Sequence, residues 1–201
     1  MGKNNLILKK IKNHFKKVDP VLYKAIKDLY LLEKVAPKDY FIKLCLEIIN
    51  QQLSDKASAT IYKRFQKLFP HGKITPQHAL KLTHEEVRAT GTSNAKVTFI
   101  KSLAQKVVNK ELQLEKLDGM ADEEVIKELT KIKGIGPWTS EMFLMFSLSR
   151  EDVFSHGDLG LRKAIKKLYG FKKEPTRKEV EKITQKWSPY RTYACIILWR
   201  S

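Results

Sequence analysis

The sequence predicts an all-α fold, a helical bundle in two lobes, from three observations. Apolar residues recur at three- and four-residue spacing in one window after another, the period of a helix with one buried face. Between these windows stand residues that start and stop helices: Asp-Pro, Thr-Pro, Ser and Gly. No stretch alternates apolar and polar residues with the period of two that a half-buried strand needs. The 201 residues suit one domain, and a chain of that length buries roughly 70% of its unfolded surface without disulfides or zinc. Hydrophobic residues at 42%, charged residues at 30%, and only 9 Gly and 7 Pro exclude collagen-like, disulfide-scaffold and wholly disordered chains.

Each element can be justified in order. The first 17 residues are basic and form either a helix packed on the body or a frayed arm. Asp19-Pro20 is an N-cap followed by proline at the first helical position, and Leu22, Ala25, Ile26, Leu29 and Leu32 extend a helix over 21–34. Phe41, Leu44, Cys45, Ile48 and Ile49 mark the next, over 38–50. A break at Ser54-Asp55 leads into a third, closed by Pro70 and Gly72. Thr75-Pro76 opens a short helix, and Thr83 to Glu86 form a capping box for another. Val97, Ile100, Leu103, Ala104 and Val107 define a helix over 94–109. The helix over 121–133 starts with Asp122, Glu123 and Glu124, acids that suit the positive end of a helix dipole. Two more are expected near 160–169 and 176–187, and a last one begins at Ser188-Pro189.

Charge narrows the partners. Thirty-nine Lys and Arg against 22 Asp and Glu leave +17, which points to nucleic acid. A lysine-rich background, or binding to ribosomes or acidic membranes, would give the same count. Cys45 and Cys195 lie in apolar runs and read as core residues of a reducing compartment. Two cysteines cannot hold an iron–sulfur cluster or a four-cysteine zinc site. No membrane span or cleavable leader is expected, so the reading is an intracellular monomer of cytoplasm and nucleoid, or of the nucleus in a eukaryote.

The most informative stretch is 129–146, LTKIKGIGPWTSEMFLMF. One helix ends near Lys133, Gly134-Ile135-Gly136 reverses the chain, and a second starts at Pro137. Both glycines are expected to serve the reversal, with Ile135 plugging the gap between helices. Outward-pointing amides at a helix start form an anion site, for which a DNA phosphate is the natural guest, and Lys131 and Lys133 favour it. An ordinary αα-turn with a glycine cap remains the alternative.

These residues resemble the helix-hairpin-helix hallmark of the DNA glycosylase superfamily of endonuclease III type, L-x-x-(I/L)-x-G-(I/V)-G, followed some twenty residues later by an aspartate. Here that aspartate is Asp158, in EDVFSHGD. Residues 41–65 resemble the family's helix, Gln-containing turn and helix beside DNA. GTSNAKVTFIKSLA over 91–104 and WSPYRTYA over 187–194 resemble motifs of the alkylation-repair branch. The chain is therefore similar to the 3-methyladenine DNA glycosylase II family in a compact form, without the β-rich N-terminal domain of some members. The resemblance implies a single helix-hairpin-helix glycosylase domain of two helical lobes spanning 1–201.

It also implies roles. Asp158 would stabilise the oxocarbenium-like sugar and orient water, although an N-capping aspartate would look the same in sequence. Bifunctional members carry an imine-forming lysine where this chain has Trp138, which implies base release by water without lyase activity. Trp138 would instead stack on a flipped, electron-poor purine, or else pack in the core. The wedge that fills the emptied stack would be Gln52, with Leu53 open because the family varies here. A helix cap is the plain alternative for Gln52. Lys133, Gly134, Ile135, Gly136 and Thr139 would hold one phosphate, and Ser54 and Lys56 another. His156 is given no proton-transfer role, and Arg191 and Tyr193 are expected to be structural. No catalytic metal or cofactor is implied, but a structural Na+ or K+ could sit on the carbonyls of Thr130, Ile132 and Ile135. The implied partner is double-stranded DNA containing damaged bases. The alternatives are a same-fold glycosylase for hypoxanthine, uracil or oxidised purine, and a non-catalytic helix-hairpin-helix binding module.

Overall fold

A computed structural model describes residues 3–26, 30–32, 36 and 39–201 of the chain. The described residues are helices and turns with no strand, and none of their helices is long and apolar enough to cross a membrane. The chain divides into two compact units: Val35–Leu148, and Met1–Lys34 together with Ser149–Ser201.

The unit over Val35–Leu148 contains helices α3 (Tyr40–Asn50), α4 (Asp55–Gln66), α5 (Pro76–Lys81), α6 (His84–Ala89), α7 (Asn94–Val108), α8 (Asp122–Thr130) and α9 (Pro137–Phe146). Its centre is α3, whose Phe41, Leu44, Cys45, Ile48 and Ile49 are all buried, as the apolar spacing predicts. α3 packs against α4, α7 and α9, and α7 in turn carries α5 and α6. The caps stand where the sequence places them. The Thr75 side chain accepts from the N–H of His78 at 3.3 Å, and Thr83 and Glu86 form the reciprocal capping box. Tyr40, fully buried, meets Phe143 edge-on at 5.3 Å and donates its hydroxyl to Asp118 at 2.8 Å.

The other unit contains α1 (Lys3–Val18), α2 (Pro20–Lys24), α10 (Leu159–Leu168), α11 (Arg177–Thr184) and α12 (Arg191–Trp199). The basic N-terminal segment is a helix anchored by the buried Ile11 and Phe15. α12 runs against α2 and α10 and buries every residue from Thr192 to Leu198.

Several boundaries differ from the sequence reading; the helix expected over 121–133 ends at Thr130, with Lys131 as its C-cap. The helix expected over 21–34 stops at Lys24, with Ala25 as its C-cap, and Ile26 and residues 30–32 are not helical. Leu29 lies outside the described residues. Periodicity overran here because the apolar residues beyond Lys24 continue at helical spacing while the tertiary path does not. The last helix starts at Arg191 rather than Ser188, because Ser188, which precedes a proline, is held at ψ 138°, outside the helical region, and Tyr190 is the N-cap.

Candidate functional site

The hairpin forms where α8 ends and α9 begins. Gly134 has φ +87°, a conformation that favours glycine, and a Cβ on it would overlap the ring of Phe99 on α7. Ile135 is buried and its N–H donates to the Ile132 carbonyl at 3.0 Å, so it plugs the turn as expected. Gly136 corrects the expectation that both glycines serve the reversal. Its φ of −98° is open to any residue, and a Cβ there would meet nothing of this chain within 4 Å. α9 then starts at Pro137 with Gly136 as its N-cap, which brings no side chain to bond the first turn.

The flanking side chains divide. Lys133 is exposed, but Lys131 is ion-paired with Glu128 at 2.6 Å, so part of its expected charge is already engaged. Trp138 is 40% exposed, which removes core packing as its role. The hydroxyl of Thr139, by contrast, is buried and accepts from Gln51 Nε2 at 3.3 Å. The Thr139 side chain is thus turned into the protein toward Gln51 rather than offered to a phosphate. Sequence could not show this, because Gln51 lies 88 residues away.

The glutamine turn belongs to the same unit. α3 ends at Asn50, Gln51 is its C-cap, and Gln52 sits at φ +57° with its side chain exposed. The helix cap is thus Gln51, not Gln52. Leu53 is 38% exposed and donates its N–H to the Asn50 carbonyl at 3.1 Å. Ser54 caps α4 by accepting from the Ala57 N–H at 3.4 Å, and Lys56 is exposed two residues on. Gln51 Nε2 also donates to the Gly134 carbonyl at 2.8 Å, so turn and hairpin are tied together.

The aspartate loop belongs to the other unit. Thr192 on α12 fixes its start: its Oγ1 accepts from the Val153 N–H at 3.0 Å and donates to the Arg150 carbonyl at 2.6 Å. Arg191 grips Asp152 with two bonds of 2.7 and 3.1 Å, and Tyr193 donates to Glu151 at 2.9 Å, so both are structural. His156 meets Phe154 edge-on at 4.9 Å. Burial first, then the charges of Arg177 and Arg191, hold its imidazole below the ordinary value against the pull of Glu181.

Asp158 is the N-cap of α10 and is only 8% exposed. Its Oδ1 accepts from the Leu161 N–H at 2.8 Å and from the Trp199 indole N–H at 3.2 Å. Sequence reasoning missed Trp199, whose only signal was an aromatic closing the last helix. Gly160 leaves room for both partners, since a Cβ there would come within 3.1 Å of Asp158 Oδ1 and 3.5 Å of the indole. Leu159, next to the carboxylate, is 67% exposed.

A tight hairpin between two helices, a glutamine turn bonded to it and a buried carboxylate heading a helix define an all-α protein of the helix-hairpin-helix class. Residues 45–189 match the model of the HhH-GPD superfamily of base excision DNA repair proteins, and the chain belongs to that family. It is similar to DNA-3-methyladenine glycosylase 1 of Schizosaccharomyces pombe, 36% identical over 172 residues that cover 85% of this chain and 74% of that one. A DNA-3-methyladenine glycosylase of Saccharomyces cerevisiae is 34% identical, with 93% of this chain and 77% of the relative covered. The fold superposes on the solved structure of the Schizosaccharomyces pombe 3-methyladenine DNA glycosylase in complex with abasic DNA. The TM-score is 0.84 at 33% identity, over 94% of this chain and 95% of that one.

Proposed function

We propose that the chain is a monofunctional DNA glycosylase that hydrolyses the N-glycosidic bond of alkylated purines, of 3-methyladenine and 7-methylguanine type, in double-stranded DNA. The observation that carries this reading is Asp158, a carboxylate held at the head of α10 by the Leu161 N–H and the Trp199 indole. A module that only binds DNA gains nothing from a fixed acid, which repels phosphate. The names of the relatives supply the substrate class.

The bond to be broken leaves positive charge on the sugar as the base departs. Asp158 stabilises that charge electrostatically and orients the attacking water. A purine alkylated at N3 or N7 already carries positive charge, so it leaves with little acid assistance. Trp138 stacks on it and gains a cation–π contribution of about 1 kcal/mol. An indole cannot form an imine, so the product is an abasic site with both strands intact.

Gln52 fills the emptied stack, with Leu53 beside it. Gln52 is exposed and has a left-handed backbone conformation. The hairpin amides of Gly134, Gly136 and Thr139 receive a phosphate with Lys133, while the Ile135 N–H is engaged by the Ile132 carbonyl and serves the turn, and the open side of Gly136 lets the phosphate approach. Ser54 and Lys56, at the start of α4, receive another. The carbonyls of Thr130, Ile132 and Ile135 are hard oxygen donors that fit Na+ or K+. The Ile132 oxygen accepts one N–H and keeps a second lone pair for such an ion.

A base-release assay over duplexes with methylated adenine and guanine, ethenoadenine, hypoxanthine, uracil and oxidised guanine tests the reading. Release of the methylated purines is expected, with no adduct trapped by borohydride. Release confined to another lesion would replace the substrate class, and efficient trapping would refute hydrolysis by water.

A further inference from the structure

α7 carries two half-buried lysines whose ammonium groups bond backbone carbonyls. Lys96 Nζ donates to the Ile49 carbonyl at 2.9 Å and the Gln51 carbonyl at 2.6 Å. Lys101 Nζ donates to the carbonyls of Leu80 and Leu82, at the end of α5. A helix leaves its last four carbonyls without an internal partner, and a cation placed there satisfies them and the dipole together. At the end of α3 the Leu53 N–H takes the Asn50 oxygen, and Lys96 takes those on either side. Burial lowers the ammonium pKa of Lys96, as expected for a charge drawn into the protein.

The two lysines differ in what they hold. Lys101 closes a helix that leads only to the next cap at Thr83. Lys96 closes the helix that leads to Gln52. The Gln51 residue whose carbonyl it grips sends its side chain to the hairpin, 2.8 Å from the Gly134 carbonyl. Three residues after Lys96, on the same face of α7, Phe99 occupies the space a side chain on Gly134 would take. One helix therefore touches both turns, by an ammonium at one and a ring at the other.

We propose that Lys96 is a positioning residue for the glutamine turn: by tying the Ile49 and Gln51 carbonyls to α7 it keeps Gln52 poised over the DNA stack in register with the hairpin. The inference rests on the glycosylase reading for its consequence in catalysis, and on geometry alone for the order of the turn. Lys96 acts through Gln51 and Gln52 and touches no reacting atom. It is the lysine of the stretch GTSNAK, so that stretch supports the turn rather than contacting substrate.

The experiment compares Lys96→Met with Lys101→Met, which removes the same kind of cap from the same helix. Two readouts are taken from each. Hydrogen exchange without DNA should speed up across 50–53 in Lys96→Met and stay unchanged there in Lys101→Met. Single-turnover base release should fall about 10- to 100-fold in Lys96→Met on a fully paired methylated duplex. The loss should shrink to within about 3-fold when the lesion lies in an unpaired loop that needs no wedge. Lys101→Met should keep both rates even where it lowers Tm. Equal loss on both substrates, no loss on the duplex, or the same pattern in Lys101→Met overturns the proposal. If Lys96→Met does not fold, Gln51→Leu decides, with the same substrate dependence expected and uniform loss counting against it. Failure of the unaltered protein to release any base would remove the glycosylase reading, while the exchange result would still decide the positioning role.

Discussion

Asp19 and Asp158 are the same device used twice. Each is a buried aspartate at the head of a helix, accepting the N–H three residues on, at 3.1 Å from Leu22 and 2.8 Å from Leu161. Each also accepts an indole N–H from far along the chain, Trp187 at 2.8 Å and Trp199 at 3.2 Å. They part in what else surrounds them. The second oxygen of Asp19 also takes the Tyr169 hydroxyl at 2.6 Å and the Lys186 ammonium at 3.0 Å, and the residue is 1% exposed. Asp158 stands between the exposed Gly157 and Leu159. A counter-charged carboxylate that is 1% exposed locks structure; one that heads its helix between exposed neighbours can serve a substrate.

The largest effect expected from breaking this contrast is at Asp158. Asp158→Asn keeps the cap geometry but removes the charge, so base release should fall about 10²- to 10⁴-fold with Tm little changed. A rate within a few-fold of the unaltered protein would return Asp158 to the structural class.

Asp19→Ala should do the reverse. It strands Lys186 and the Tyr169 and Trp187 donors, costing about 3 kcal/mol, or a Tm lower by roughly 6–12 °C, while base release per folded molecule holds. Burial raises the pKa of Asp19, but the bonds from Tyr169, Trp187, Leu22 and Lys186 more than offset it and leave the value below the ordinary 3.8. Its stabilisation is therefore present above the unfolded value and lost as pH falls through the folded one. Acid unfolding of Asp19→Ala should lack that component.

Trp199→Phe sharpens the contrast within the site. It removes the indole donor from Asp158 Oδ1, and base release should drop about 10-fold. An unchanged rate would mean that the indole does not help to orient the carboxylate.

The smallest effect is at a third carboxylate, Glu47 on α3. Burial outweighs the nearby Lys43 charge there and pushes its pKa up to about 7. The stability linked to its neutral form is present below the unfolded value of 4.5 and lost as pH rises through 7. Glu47→Gln should therefore raise Tm by a few degrees at pH 8 and leave it nearly unchanged at pH 4. A gain of equal size at both would show that ionisation is not the cause.

The +17 charge takes on finer grain in this light. Lys96 and Lys101 are turned inward as helix caps, and Lys131 and Lys186 are paired with Glu128 and Asp19, so not every lysine is offered to DNA. The exposed Lys56 and Lys133 stand at the start of α4 and at the hairpin, where the proposed phosphates would sit.

What the amino-acid sequence determined by itself was everything set within a few residues. It placed the caps at Asp19, Thr75 and Thr83, the buried face of α3, the glycine reversal before α9, and an aspartate opening α10. These follow from backbone donors reaching side chains three or four positions away, so local residues suffice to read them. Tertiary structure alone decided where α2 stops and that Gly136, unlike Gly134, needs no glycine for its own backbone. It also buried Thr139, exposed Trp138, drew Lys96 under the glutamine turn and set Trp199 on Asp158. The bonds among these join residues far apart in the chain, Gln51 to Thr139 at 88, Lys96 to Gln51 at 45 and Trp199 to Asp158 at 41. Such pairs meet only after helices pack, and helical period carries no information about which residue will face which.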